Sequence, residues 1–275
     1  MAGPALADNR APWKLAFTLG DPALVDGLPT ALYVDGDKKR YYMVDSSGGR
    51  LASFDDQGAF QQVFSPAGGL RRPFDMVRLS ESVLVVAEKG ENTLTRIDFV
   101  GKETVRTAVV DQGRRLMVDR LEIAGGRLYV LDRASGGIFR LSEAFTVEQR
   151  FPLPQKSGGL VDFKIVGNQI WALGQQEKML YVYQENGLIS KRIDLGGQVK
   201  FPVSVAVDSG GLIYVLDRHQ GEVVVFDRRD KVKYRFLGKG HGPQQLYYPL
   251  EIRFDPWGRL CIVDEGNNRV QVFGR

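Results

Sequence analysis

The chain contains one cysteine, two histidines and no apolar run of membrane-spanning length in 275 residues. A lone thiol, Cys261, cannot close an internal disulfide, so stability must come from a core; a chain of this size buries about 75% of its unfolded surface. Between Leu260 and Ile262, Cys261 reads as a small buried hydrophobe rather than a nucleophile. His219 and His241 are too few for a His-ligated zinc centre. No stretch reaches the ~18 apolar residues of a membrane helix. Helix signals are nearly missing too: no capped segment carries apolar residues at spacings of three and four. The Gly-x-Ser-x-Gly elbow, the phosphate loop and metal-spaced His or Cys sets are all lacking.

Met1-Ala2-Gly3-Pro4-Ala5-Leu6-Ala7-Asp8 has neither the basic start nor the apolar centre of a signal peptide. Ala5-Leu6-Ala7 nonetheless has the small-x-small form of a cleavage site. The expectation is an exported protein, periplasmic or extracellular; cysteine usage alone does not exclude the cytoplasm.

What the sequence does contain is one unit written six times. Each copy opens on Pro, x, an acidic or small residue, then alternating apolar positions. A Gly or Asp turn follows, and a second apolar run ends in an acidic residue. The openings fall at Pro29, Pro73, Met117, Leu160, Pro202 and Pro249, spaced 44, 44, 43, 42 and 47. The second runs end at Asp45, Glu88, Asp132, Gly174, Asp217 and Asp264. A period of about 40–50 residues built from short strands predicts propeller blades. The fifth copy shows the four strands most clearly, from Val203 to Leu237, separated by polar Gly/Asp turns. The predicted fold is all-β: one domain over residues 1–275, a six-bladed propeller of four-stranded antiparallel blades, with residues 1–12 as a flexible lead-in. The sixth copy ends two residues after Phe273 and lacks its outermost strand, whereas Trp13–Leu19 alternates as a strand with no sheet of its own. That N-terminal strand is expected to complete the last blade and close the ring, leaving no open edge.

The last copy carries a resemblance. Its Pro249 start, Asp255-Pro256-Trp257-Gly258 turn, Ile262-Val263-Asp264, Asn267-Asn268-Arg269-Val270 and final Phe273 resemble an NHL repeat. The preceding Gly238–Leu246 linker is similar to the glycine-rich join between NHL blades, and Val203–Phe226 is a second match. The first four copies keep the spacing but lose Asn-Asn-Arg. The resemblance implies a six-bladed propeller and, since many such proteins are interaction platforms, a binding role.

The acidic strand ends, Asp45, Asp132, Asp217 and Asp264, precede tight turns and are assigned to accepting turn amides. Phe54, Tyr129, Trp171, Tyr214 and Phe226 are assigned to packing between blades. The third position of each copy holds Ala31, Asp75, Asp119, Asp162, Ser204 and Glu251, at the start of the innermost strand. Four carboxylates, Asp75, Asp119, Asp162 and Glu251, are thus expected near the channel mouth. Two explanations compete: capping of amides with pairing to Arg72, Arg120 or Arg253, or a site for a divalent cation, since hard cations take several oxygen ligands.

Loops on that same face carry Arg71, Arg72, Arg114, Arg115, Lys156, Lys200, Lys239 and His241, joined by Lys89, Arg133, Lys178, Arg218 and His219. The net charge is +4. The candidate ligand-binding set is Asp75, Asp119, Asp162 and Glu251 with Arg72, Arg115 and Arg218 on a basic rim; no catalytic residue is assigned. The primary reading is a monomeric, non-catalytic scaffold binding a protein or small anionic ligand without a cofactor. The alternative, implied by six-bladed lactonase and lyase relatives, is a calcium-assisted hydrolase, lactonase-like or lyase-like, using those carboxylates with Tyr247, Tyr248 or His241 as acid–base groups. Nucleic acid is disfavoured: only Phe74 stands near Arg71-Arg72, and none near Arg114-Arg115, for stacking bases.

Overall fold

The predicted strands form and pair as six four-stranded antiparallel sheets. The computed structural model describes residues 11–20 and 27–275; Ala5-Leu6-Ala7 and most of the expected lead-in lie outside them. The inner strands of blades 1 to 6 are Pro29–Asp35, Pro73–Arg78, Val118–Ala124, Leu160–Val166, Pro202–Val207 and Glu251–Phe254. Among the described residues the only helical segment is the short turn Glu265–Asn267, and no helix is long and apolar enough to cross a membrane. One feature was not predicted: a small hairpin, Val110–Asp111 with Arg114–Arg115, raised before blade 3.

The core is divided among the joints. Six clusters of buried side chains lie one between each pair of neighbouring blades. Phe54, Tyr129, Tyr214 and Phe226 are buried as assigned, and Trp171 is partly buried against the cluster between blades 4 and 5. Cys261 lies in the cluster joining blade 6 to blade 1, where burial pushes its thiol well up. At about 1.5–3 kcal/mol for each large apolar side chain buried, these six interfaces hold the ring together.

The ring closes as expected. Lys14–Leu19 pairs antiparallel with Arg269–Gly274, Leu15 opposite Phe273 and Leu19 opposite Val270. Trp13, 5% exposed, packs between blades 5 and 6 and donates its indole N–H to the Tyr234 hydroxyl at 3.2 Å. The Arg275 guanidinium stands 4.6 Å from the Trp13 ring, pairs with Asp208 at 2.6 Å and donates to the Tyr214 hydroxyl at 2.9 Å. Both ends of the described chain are therefore anchored on blade 5.

Inner strands of blades 1 to 5 share a β-bulge after their first residue, at Pro29/Ala31, Pro73/Asp75, Val118/Arg120, Leu160/Asp162 and Pro202/Ser204. A bulge shifts every later side chain by one place and so re-aims it. Blade 3 therefore corrects the sequence reading: its opening residue is Val118, opposite Asp132, and the third position belongs to Arg120, opposite Leu131. Met117 occupies the place of Leu28 and Phe201, each donating its N–H to the acidic strand end of its own blade.

Candidate functional site

With that register, the third positions around the channel read Ala31, Asp75, Arg120, Asp162, Ser204 and Glu251. Their side chains bind across the joints in a repeating manner. Asp75 accepts the N–H of Leu121 at 2.9 Å, Asp162 that of Val205 at 2.9 Å, Ser204 that of Ile252 at 3.1 Å and Glu251 that of Leu32 at 3.0 Å. Each N–H belongs to the next blade, one residue beyond its own third position. Ala31 has no acceptor to offer, and the N–H it would serve, on Met76, is taken by Asp75 itself at 2.7 Å.

A second layer comes from the residues two places further on, which alternation turns to the same side. Lys164 Nζ lies 3.1 Å from both Glu122 and Glu251 and 3.6 Å from Asp162. Arg253 bonds Glu251 at 2.9 Å and Glu122 at 3.2 Å. Arg120 crosses the channel, donating to the carbonyls of Thr30 and Leu250, both at 3.3 Å, with its Nε 3.9 Å from Asp162. Lys164 and Glu122 were missed as site residues; their signal was the two-residue step from Asp162 and from Arg120.

Charge balance here sets the protonation states. Burial pushes the Asp75 carboxyl up to about 7, with Glu251 adding to the effect and Arg120 and Arg253 opposing it. Burial also acts to raise Glu251, but Arg253, Lys164 and Arg120 overcome it and lower that carboxyl to about 2. A buried carboxylate is retained as an ion only with such partners. The oxygens face backbone N–H groups and three cations, the buried Arg120 and Lys164 and the partly buried Arg253. Among the described residues no group of three or more His, Cys, Asp or Glu side chains is arranged to hold a metal.

Asp119 is a bulge residue, apart from the ring of third positions. It pairs with Lys89 at 2.6 Å and lies 4.0 Å from Arg133. The Lys89 ammonium stands 2.9 Å from the centre of the Phe74 ring, and burial lowers it to about 8 against the pull of Asp119.

The acidic strand ends do more than was assigned to them. Asp45 accepts the Gly48 N–H of its turn at 3.1 Å and the Leu28 N–H of the incoming loop at 2.9 Å. Asp132, Asp217 and Asp264 make the same link to Met117, Phe201 and Tyr247. They tie the two sets of upper loops into one face. On that face several cations are matched: Arg71 by Glu91, Arg114 by Asp132, Arg218 by Glu265 at 2.5 Å. Arg72, Arg115, Lys156, Lys178, Lys200 and Lys239 have no carboxylate of the described residues within ion-pair distance, and all but the half-buried Lys178 are exposed. Arg72 is thus open on the rim, the exposed Arg115 donates its Nε to the Asn92 carbonyl at 3.2 Å, and Arg218 is held by Glu265 and the Pro249 carbonyl.

Fold and face together define a six-bladed β-propeller, closed by its own N-terminal strand. Within it, residues 200–226, the start of blade 5, match the NHL repeat family. No curated protein matches the sequence. Among solved structures, a streptogramin B lyase superposes with a TM-score of 0.67 at 11% identity, over 95% of this chain and 97% of that one. A virginiamycin B lyase from Staphylococcus aureus gives 0.65 at 10% identity, over 89% and 79%. A gluconolactonase from Xanthomonas campestris gives 0.67 at 18% identity, over 99% and 97%. At such identities the likeness is one of fold.

Proposed function

We propose that the protein is a binding scaffold whose channel-mouth face holds an anionic partner on its basic rim. The observation that carries this reading is the set of six rim cations, Arg72, Arg115, Lys156, Lys178, Lys200 and Lys239, left without carboxylates among the described residues. Unmatched charge of one sign on one face attracts partners of the other sign. A metal-assisted reaction at the mouth would draw on Asp75, Asp119, Asp162 and Glu251, of which Asp75, Asp162 and Glu251 are engaged in holding blades together and Asp119 is paired with Lys89. This supports binding over catalysis.

The test is retention on a heparin column. Arg72→Glu/Arg115→Glu/Lys239→Glu is compared with Lys102→Glu/Arg229→Glu/Lys233→Glu on the opposite face, which changes net charge equally. The rim triple is expected to elute at markedly lower salt than the other. Equal elution of the two triples would sink the assignment to this face.

A further inference from the structure

One quadrant of the rim differs from the rest. At the joint of blades 5 and 6 five rings form a continuous line. Phe201 and His219 stack at 4.2 Å and 11°; Tyr248 meets His219 edge-on at 6.4 Å and 89°. Tyr247 meets Tyr248 at 4.7 Å and 73°, and His241 packs on Tyr247 at 4.4 Å. Both histidines of the chain are in this line. Arg218 stands 5.5 Å from the Tyr248 ring and Lys239 5.2 Å from it.

The line is held in place from below. Asn267 donates to the Gly240 carbonyl at 3.0 Å and to Asp264 at 2.8 Å, so its oxygen is the acceptor for His241 Nδ1 at 2.6 Å. Arg269 donates to the Gly242 and Gln245 carbonyls at 2.7 and 2.9 Å. The Asn-x-Arg of the last copy thus fixes the loop that presents the rings. Tyr248 has φ +49°, a left-handed conformation it shares with Arg72 (φ +54°), each preceding a blade-opening proline.

We propose that this platform takes an acidic peptide segment of a partner protein; the proposal rests on the rim-binding reading above. Its geometry is unsuited to flat ligands. A base or ring inserted between two rings needs about 7 Å between them, twice a carbon–carbon contact of about 3.5 Å. The one near-parallel pair is closed at 4.2 Å, and the rings next to it are nearly perpendicular. Cations stand over the Tyr248 ring, at a site that a sugar face would occupy. The groups that remain on offer are ring edges, tyrosine hydroxyls and the ammonium of Lys239, since Arg218 is already paired with Glu265. Tyr and Arg at such density are what partner-binding surfaces concentrate, and the donors suit carboxylates.

The experiment uses the full chain and fluorescently labelled short poly-L-glutamate at low salt, with oligouridylate and polygalacturonate of matched charge as competitors. Lys239→Gln and Tyr248→Gly are each expected to weaken poly-glutamate binding about fivefold or more, the loss of a contact worth over about 1 kcal/mol. Arg72→Gln, a rim cation across the face on blade 2, is expected to weaken it about twofold, less than Lys239→Gln does, and Lys102→Gln on the opposite face is expected to leave it unchanged. Lys239 is an exposed surface residue, so its variant decides the matter if the Tyr248 variant does not fold. If Arg72→Gln weakens binding as much as Lys239→Gln, the rim reading survives and the quadrant does not. Tighter binding of oligouridylate or polygalacturonate overturns the acidic-peptide assignment. No binding of any of the three polyanions removes both readings.

Discussion

Glu251, on the inner strand of blade 6, accepts the backbone N–H of Leu32, on that of blade 1, at 3.0 Å across 219 residues of sequence. The same carboxylate bonds Lys164 and Arg253. Replacing it with Gln keeps an acceptor for Leu32 but leaves the two cations short of a counter-charge. Breaking a buried pair in this way costs about 3–5 kcal/mol. Glu251→Gln should lower the midpoint of thermal unfolding at pH 7 by on the order of 10 °C. An unchanged midpoint would mean that the pair does not hold the joint.

The pH dependence of stability should have two limbs. Glu251 is lowered in the folded state, to about 2, so its contribution is present above the ordinary carboxylate range and is lost as pH falls toward 2. Asp75 is raised, to about 7, so its contribution has the opposite sense: complete at low pH, lost as pH rises through 7. Asp75→Asn, neutral at every pH, should have an unfolding midpoint that compares more favourably with the parent's at pH 8 than at pH 4.5. Parallel midpoint-versus-pH curves for the two proteins would contradict this.

Two neighbouring residues separate the register found here from the one expected. Arg120, 3% exposed, neutralises the channel carboxylates, so Arg120→Ala should destabilise by about 3–5 kcal/mol. Asp119 makes partly exposed pairs on the rim, and Asp119→Asn should cost about 1 kcal/mol or less. Denaturant midpoints for both variants settle which one belongs to the ring.

Deleting residues 1–20 removes a whole outer strand together with Trp13 and the fully buried Leu19. The apolar loss alone is on the order of 5 kcal/mol, since each such side chain contributes about 1.5–3 kcal/mol. The truncated chain should melt at least about 10 °C lower and should self-associate through the bared strand Arg269–Gly274. Light scattering and calorimetry would register both effects.

At the joint of blades 3 and 4, Gly136 has φ +68°, and a Cβ there would lie 2.4 Å from the Cα of Gly159. Gly136→Ala combines a left-handed conformation with a backbone clash and should destabilise by more than the ~1 kcal/mol that the conformation alone costs. Urea titration of this variant gives the comparison.

Much of this was legible because Pro, Asp and Gly act locally. Pro29, Pro73, Pro202 and Pro249 mark where chains turn inward, and the acidic strand ends mark where they turn back, so blade number and ring closure followed from spacing. Blade 3 is displaced by one residue because Val118, and no proline, stands at its opening place. Only the partner Asp132 and the bulge reveal that Val118 is the equivalent residue. The polar interior was half legible: Asp162 and Glu251 were found by position, while Lys164 and Glu122 required alternation to be followed two residues further. The ring platform had no sequence signal, since residues 201, 219, 241, 247 and 248 meet only through loops of two blades.

Arg120 also changes what kind of repeat protein this is. In an open solenoid each unit touches only its neighbours, and unravelling can proceed unit by unit. Here one side chain acts as a spoke, running from blade 3 to the carbonyls of Thr30 in blade 1 and Leu250 beside blade 6. No blade on either arc can peel away without slackening the hub, so the wheel is built to come apart in a single event.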